Sequence, residues 1–99
     1  MQSHYDAEFV RDMGCDESQW LSWLPGAVRD HPLKLDHQGA SIDIDAGVLE
    51  LRWHELSPRR IGPVHLPRLN VAFRFVGVDA DARQGFMRYF DLYMHRGGG

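Results

Sequence analysis

The 99-residue chain contains little cysteine, little lysine and no long apolar run. A single cysteine, Cys15, excludes an internal disulfide, so the fold cannot depend on the disulfide framework of small secreted domains. No apolar stretch approaches the roughly 18 residues that a membrane-spanning helix needs. The first residues have neither the basic region nor the apolar region of a signal peptide. We therefore expect a cytoplasmic protein that does not enter a membrane.

The chain also lacks the short motifs that mark common active sites. It has no glycine-rich dinucleotide loop or phosphate loop, no HExxH or CxxC pattern, and no GxSxG nucleophile elbow. Its six histidines are scattered without the spacing of metal ligands. We assign no metal site from spacing and expect no cofactor, and whether the protein is an enzyme stays open.

The length predicts one domain, residues 1–99, with a single core. Its charge is uneven: residues 1–50 carry ten acidic and three basic residues, a net −7, whereas residues 51–99 carry eight basic and four acidic ones, a net +4. A dipolar chain of this kind can present a basic patch to an anion or to the acidic half of a second copy. The overall charge of −3 disfavours nucleic acid as a partner.

Two helices are predicted before residue 30. Large apolar residues four apart predict a first helix over residues 4–13, which Gly14 ends: Tyr5, Phe9 and Met13. Asp16 followed three residues later by Gln19 resembles a capping box and begins a second helix. Pro25-Gly26 is expected to stop this helix. Its two tryptophans, Trp20 and Trp23, are expected to cover a sheet.

The C-terminal third predicts a strand that leads into a helix. Apolar residues alternate with others over residues 69–77, which is typical of a strand. Aromatic residues then recur at helical spacing, with Asp79 or Asp81 available as N-cap: Phe86, Tyr89, Phe90 and Tyr93. We expect this helix to fold back over the strand. A tail, residues 96–99, is expected to be disordered.

Between these segments the pattern predicts a five-stranded antiparallel meander. The predicted strands are 33–37, 40–45, 48–55, 60–66 and 69–77. Turns at 38–39, 46–47, 57–58 and 67–68 would bring apolar residues onto one buried face: Ile42, Leu51, Val64 and Val71. The fold class is thus α+β, with the helices covering one face of the sheet in two layers. Because Pro63 disfavours an interior strand, an alternative stays open in which 57–68 is a loop and 48–55 pairs directly with 69–77.

This predicted register places ionisable side chains in a row on the uncovered face. Asp43 would lie opposite Glu50, and two adjacent carboxylates tend to share a proton. His65 beside them would gain basicity. Asp43, Glu50 and His65 are therefore the candidate catalytic residues of an acid–base enzyme, and their oxygen and nitrogen atoms are also possible ligands of a divalent metal.

Arginines on the same face form a second candidate site. Four of them are candidate anion-binding residues, because arginine forks suit phosphate or carboxylate: Arg52, Arg59, Arg60 and Arg74. They surround a patch that is more apolar than solvation requires: Ile61, Pro63, Ala72 and Val76. Such a patch suits self-association or a protein partner.

Together these features favour a small cytoplasmic binding or assembly module of bacterial type, homodimeric through its outer sheet face or an edge strand. The alternatives are a small acid–base enzyme and a domain that binds an anion or nucleotide.

Overall fold

A computed structural model describes residues 4–96 and shows an α+β fold with a five-stranded antiparallel sheet. The strands are β1 (Glu8–Met13), β2 (Leu33–Asp36), β3 (Gly39–Ile44), β4 (Gly47–Ile61) and β5 (Val64–Val76), and the helices are α1 (Glu17–Val28) and α2 (Ala80–His95). The strand order is β1-β5-β4-β3-β2. The predicted fold class is therefore confirmed. The residues 97–99 of the predicted tail lie outside the described range, and Arg96 is the C-cap of α2.

The first predicted helix is wrong, because residues 8–13 form strand β1 at the edge of the sheet. A spacing of four is also an even spacing, so Phe9 and Met13 lie on one face of a strand as readily as on one face of a helix. Phe9 pairs with Phe73 of β5 and stacks on its ring, with the ring centroids 4.6 Å apart. This cross-strand contact, which the local pattern does not contain, stabilises the strand.

Helix α1 begins as predicted but continues for longer. The capping box is present: the Gln19 amide donates to Asp16 Oδ1 at 2.8 Å, and the Asp16 amide donates to Gln19 Oε1 at 3.2 Å. The helix continues past Pro25 and ends at Arg29, whose φ of 56° leaves the helical region. Ala27 and Val28 in this last turn are buried, so packing outweighs the missing amide donor of the proline.

Strands β2 to β5 form the meander, but their pairing differs from the prediction. The predicted turns at 57–58 and 67–68 are wrong, because β4 continues to Ile61 and the chain turns at Gly62-Pro63, where Gly62 has a φ of +57°. The alternative pairing of 48–55 with 69–77 is confirmed, with Leu51 opposite Phe73. Residues 57–68 are nevertheless not a loop but the far part of the β4–β5 hairpin. The β4–β5 ladder is irregular between the pairs Leu56–Arg68 and Arg59–Leu66, and Pro58 and Pro67 lie in this gap. Neither proline therefore removes a hydrogen-bond donor from the regular ladder.

The register of the first two hairpins is also shifted. Leu33, not Leu35, lies opposite Ile42, and Ile42, not Ile44, lies opposite Leu49. A shift of two residues leaves every side chain on its predicted face. Ile42, Leu51 and Val71 are accordingly buried. Val64 is 50% exposed, so it does not belong to the buried surface to which the prediction assigned it.

The core lies between the sheet and the two helices. Phe90 of α2 packs edge-on against Phe73, at 5.6 Å between ring centroids, which confirms that α2 folds back over β5. Trp20 of α1 is fully buried, and its ring meets that of Trp53 at 5.6 Å. The two helices cover this inner face of the sheet, and the chain leaves the opposite outer face uncovered within residues 4–96.

Candidate interaction surface

The three candidate catalytic residues do not form the predicted row. Asp43 pairs with Val48, Glu50 lies between Ser41 and Arg74, and His65 pairs with Arg60. Asp43 and Glu50 remain diagonal neighbours on adjacent strands. His65 is nine residues from Arg74 along β5, which places it about 30 Å from Glu50 at 3.3 Å per residue. The structure thus brings the two carboxylates near each other and leaves the imidazole far away, so the acid–base mechanism has no support in this geometry.

Salt bridges cross the outer face and occupy two of the four candidate anion-binding arginines. Arg74 lies between two carboxylates, with Nε 3.3 Å from Glu8 Oε2 and Nη1 3.2 Å from Glu50 Oε1. Arg52 Nη1 lies 3.5 Å from Asp36 Oδ1. These guanidinium groups are already neutralised by the chain's own carboxylates, so an added anion would have to compete with them.

Arg59 and Arg60 differ, because neither side chain forms a hydrogen bond or an ion pair with any residue from 4 to 96. Both lie in the far part of the β4–β5 hairpin, which we call the arm, residues 57–66. All ten residues of the arm are exposed. The sequence has no acidic residue between Glu55 and Asp79, so the arm carries positive charge without an acidic partner of its own.

The arm also carries three large apolar side chains in contact with solvent: Ile61 is 58% exposed, Val64 50% and Leu66 41%. Ile61 pairs with Val64, and Leu66 is next to Val64 on the same face of β5. By alternation from the buried residues of β5, this face is continuous with the outer face of the sheet. The sequence reading missed this cluster because it assigned Val64 and Leu66 to the core. Three prolines within ten residues, Pro58, Pro63 and Pro67, are the signal that marks this segment as an unusual hairpin.

The predicted apolar patch is divided in the structure. Ile61 and Pro63 lie in the arm, whereas Val76, 41% exposed, lies at the opposite end of β5. Ala72 is partly buried between them, beside Val10, which is 62% exposed on β1. The outer face therefore has exposed apolar residues at both ends and at Val10, and most of the charged residues between the ends are paired.

On the inner side a cluster of polar groups fastens β1 to α2. The Arg11 guanidinium makes two bonds to the Asp91 carboxylate, at 2.5 Å and 2.9 Å, and the Tyr5 hydroxyl also donates to this carboxylate. The hydrogen bond to Asp91 raises the pKa of Arg11 above its ordinary value, against the opposing effect of burial. The cluster lies beside a groove of about 600 Å³ between β1 and α2. Because Asp91 already accepts from two partners, we assign it to holding the edge strand rather than to catalysis.

Cys15 is not a candidate nucleophile. It is 1% exposed, and burial, with a smaller contribution from Asp16, raises the pKa of its thiol to about 11. A reactive cysteine needs an accessible thiolate, which this environment disfavours.

Neither protein-family models nor curated proteins match this chain. No helix in the described part of the chain is long and apolar enough to cross a membrane. Over the same residues, no group of three or more histidine, cysteine, aspartate or glutamate side chains is placed to hold a metal ion.

Proposed function

We propose that the protein is a self-associating assembly module, which binds a second copy of itself through the arm and the outer face of its sheet. The observation that supports this function is the arm itself, in which ten consecutive exposed residues carry three adjacent apolar side chains and two arginines without partners. The proposal includes a reducing compartment such as the cytoplasm, supported by the one free cysteine, which is buried.

Exposure of the arm's apolar side chains to water is unfavourable unless a partner covers them. A lone two-stranded hairpin is marginally stable in water, since it has no face that another element covers. Completing the burial of Ile61, Val64 and Leu66, each about half exposed, would contribute about 1 kcal/mol per side chain. Two arms would contribute about 6 kcal/mol. Association costs roughly 4–15 kcal/mol in lost translational and rotational freedom. Contacts of the outer face therefore have to add to the binding free energy that the two arms contribute.

Sedimentation equilibrium of the full chain tests this function. We expect a dimer with a Kd below about 1 mM, which corresponds to at least about 4.1 kcal/mol of binding free energy. Replacing Ile61 and Val64 together with serine should raise the Kd by at least about tenfold, because the apolar contacts of both arms are lost.

The matched control replaces Leu35 and Leu92 together with serine. These two leucines are 55% and 54% exposed, much like Ile61 and Val64, but lie outside the arm. The control should leave the Kd unchanged. A wild-type chain that stays monomeric at about 1 mM, or a control that weakens association as much as the arm variant, would contradict self-association through the arm.

Anion binding is a second candidate function, supported only by the unpaired Arg59 and Arg60. Arg59 and Arg60 are consecutive residues of β4, so their side chains leave opposite faces of the arm, and each guanidinium group could bind a phosphate or a carboxylate by itself. A thermal-shift titration with inorganic phosphate tests this: saturation at 100 times the Kd should add about 2.7 kcal/mol of stability, and the gain should disappear when both arginines become glutamine.

A further inference from the structure

We infer that two copies pack their outer sheet faces together in opposite strand directions, so that the arm of each copy lies against the acidic end of the other. The acidic end consists of Glu8, Asp43, Asp45 and Glu50 on and beside the outer face. This inference rests on the proposed self-association and adds to it a symmetry and specific ion pairs.

The two ends of the outer face carry opposite charge. At the arm, Arg59 and Arg60 have no acidic partner. At the other end, the carboxylates of Asp43 and Asp45 are exposed and form no ion pair with any residue in the 4–96 range.

Glu8 and Glu50 share a single arginine, Arg74. These three residues lie nearer to the middle of the sheet than Asp43 and Asp45. This group of three has a net charge of −1. The acidic end thus has an excess of negative charge, which Lys34 beside Ser41 reduces by one, and the arm carries the positive charges of Arg59 and Arg60, which favours contact between opposite ends of two copies.

The apolar residues fit the same arrangement. Along β5, Leu66 and Val76 lie five residues to either side of Val71, about 17 Å each way at 3.3 Å per residue. A two-fold axis can lie in the plane between two facing sheets, perpendicular to the strands, and pass β5 near Val71. It places Val76 of each copy over Leu66 of the other. Val48, which pairs with Val76 on β4, then faces the arm as well.

The same axis brings the free charges together. Asp43 is the neighbour of Val48 on β3, and Arg59 is the neighbour of Leu66 on β4. Facing sheets pack about 10 Å apart, with their strands within about 30° of each other. An extended arginine side chain spans much of that gap, so Arg59 of one copy can reach Asp43 of the other. The symmetry produces this contact twice.

The area of the outer face approaches that of a standard interface. Strand β5 has 13 residues, a length of about 40 Å, and the outer face of β4, β5 and a flanking strand is about 14 Å wide. The flat area is thus about 500 Å² per copy, and protruding side chains raise the accessible area toward the roughly 800 Å² per partner of a standard interface. A head-to-tail contact between the same two ends would instead leave free ends and produce a filament.

Two charge reversals, Arg59→Asp and Asp43→Arg, test the arrangement in the full chain. As a homodimer, each single variant would have two like-charge contacts, so we expect each to raise the Kd by at least about tenfold, equivalent to 1.4 kcal/mol. An equimolar mixture of the two variants forms heterodimers in which both contacts join opposite charges. Sedimentation equilibrium of the mixture should therefore return a Kd close to the wild-type value, and native mass spectrometry should show the heterodimer.

The control reversal is Arg88→Asp, at an exposed position on α2 outside the outer face. It should leave the Kd unchanged. Because positions 59 and 43 are exposed and unpaired, thermal unfolding should confirm that both variants fold like the wild type.

If the mixture associates no better than the single variants, or if the single variants associate like the wild type, the antiparallel arrangement is wrong. Should the Ile61→Ser/Val64→Ser variant still raise the Kd by at least about tenfold in that case, the proposed function stands and only the arrangement fails. A wild-type chain that does not associate would overturn both.

Discussion

Replacing Asp91 with asparagine should destabilise the protein, because this carboxylate holds the edge strand β1 against α2. Asp91 accepts two hydrogen bonds from the Arg11 guanidinium and one from the Tyr5 hydroxyl. The asparagine side chain has nearly the same shape but only one acceptor oxygen and no charge. The substitution therefore removes the ion pair while it preserves most of the packing.

The magnitude follows from the environment of the pair. Breaking a fully buried ion pair by removing one partner costs about 3–5 kcal/mol, because the other charge stays buried without compensation. Here the side chains of Arg11 and Asp91 are each 29% exposed, so water restores part of the loss. The rings of Phe9 and Phe73, whose centroids lie 5.3 Å and 5.5 Å from the guanidinium carbon, also continue to stabilise the cation. We therefore expect the free energy of unfolding to fall by about 2 kcal/mol.

For a chain of this size, 1 kcal/mol shifts Tm by about 4–8 °C, so thermal unfolding should show a decrease of about 8–16 °C. Urea unfolding followed by tryptophan fluorescence gives the free energy independently. The matched control is Asp36→Asn, which breaks the exposed Asp36–Arg52 pair, whose side chains are 61% and 70% exposed. It should cost less than about 0.5 kcal/mol. Equal effects of the two substitutions would refute the role assigned to the Asp91 cluster.

Three further measurements address other parts of the fold. Because the pKa of Cys15 is raised from 9.0 to about 11, the folded protein keeps a proton that the unfolded chain releases, so this contribution to stability is complete below pH 9 and is lost as the pH rises toward 11. Urea unfolding from pH 8 to 11 should show a loss of up to about 2.7 kcal/mol that is absent in Cys15→Ala; identical pH profiles would contradict this. Gly47→Ala should destabilise by about 2 kcal/mol or more, because the added Cβ would lie 2.3 Å from the Gly77 carbonyl oxygen, and a wild-type midpoint in urea would disprove that contact. Gly85→Ala should instead stabilise by about 0.5–1 kcal/mol in the same assay, since the new methyl group meets no atom within 4 Å in the interior of α2; a loss of stability would count against this.

Local chemistry was enough to predict the starts of α1 and α2 and the faces of most strands. The caps Asp16 and Asp79 each accept a hydrogen bond from an amide three residues later, and such contacts depend only on neighbouring residues. The alternation of apolar residues in 69–77 likewise determines which side chains are buried. In the β2–β3 and β3–β4 hairpins the predicted turns are misplaced by one residue, and the resulting register shift of two does not exchange the faces.

Only the tertiary structure decided which strands pair and which groups form a site. Residues 8–13 are a strand because β5 offers Phe73 as a partner for Phe9, and the even spacing of their apolar residues fits either period. The chain turns at Gly62-Pro63 rather than at the predicted positions 57–58 and 67–68. With the turn at Gly62-Pro63, β4 and β5 pair along their whole length, including the part that lies over the core. With this pairing, His65 lies in the arm, far from Glu50, and Arg74 lies between two glutamates. Charges on different strands meet only through that long-range pairing, and nothing in the local sequence encodes it.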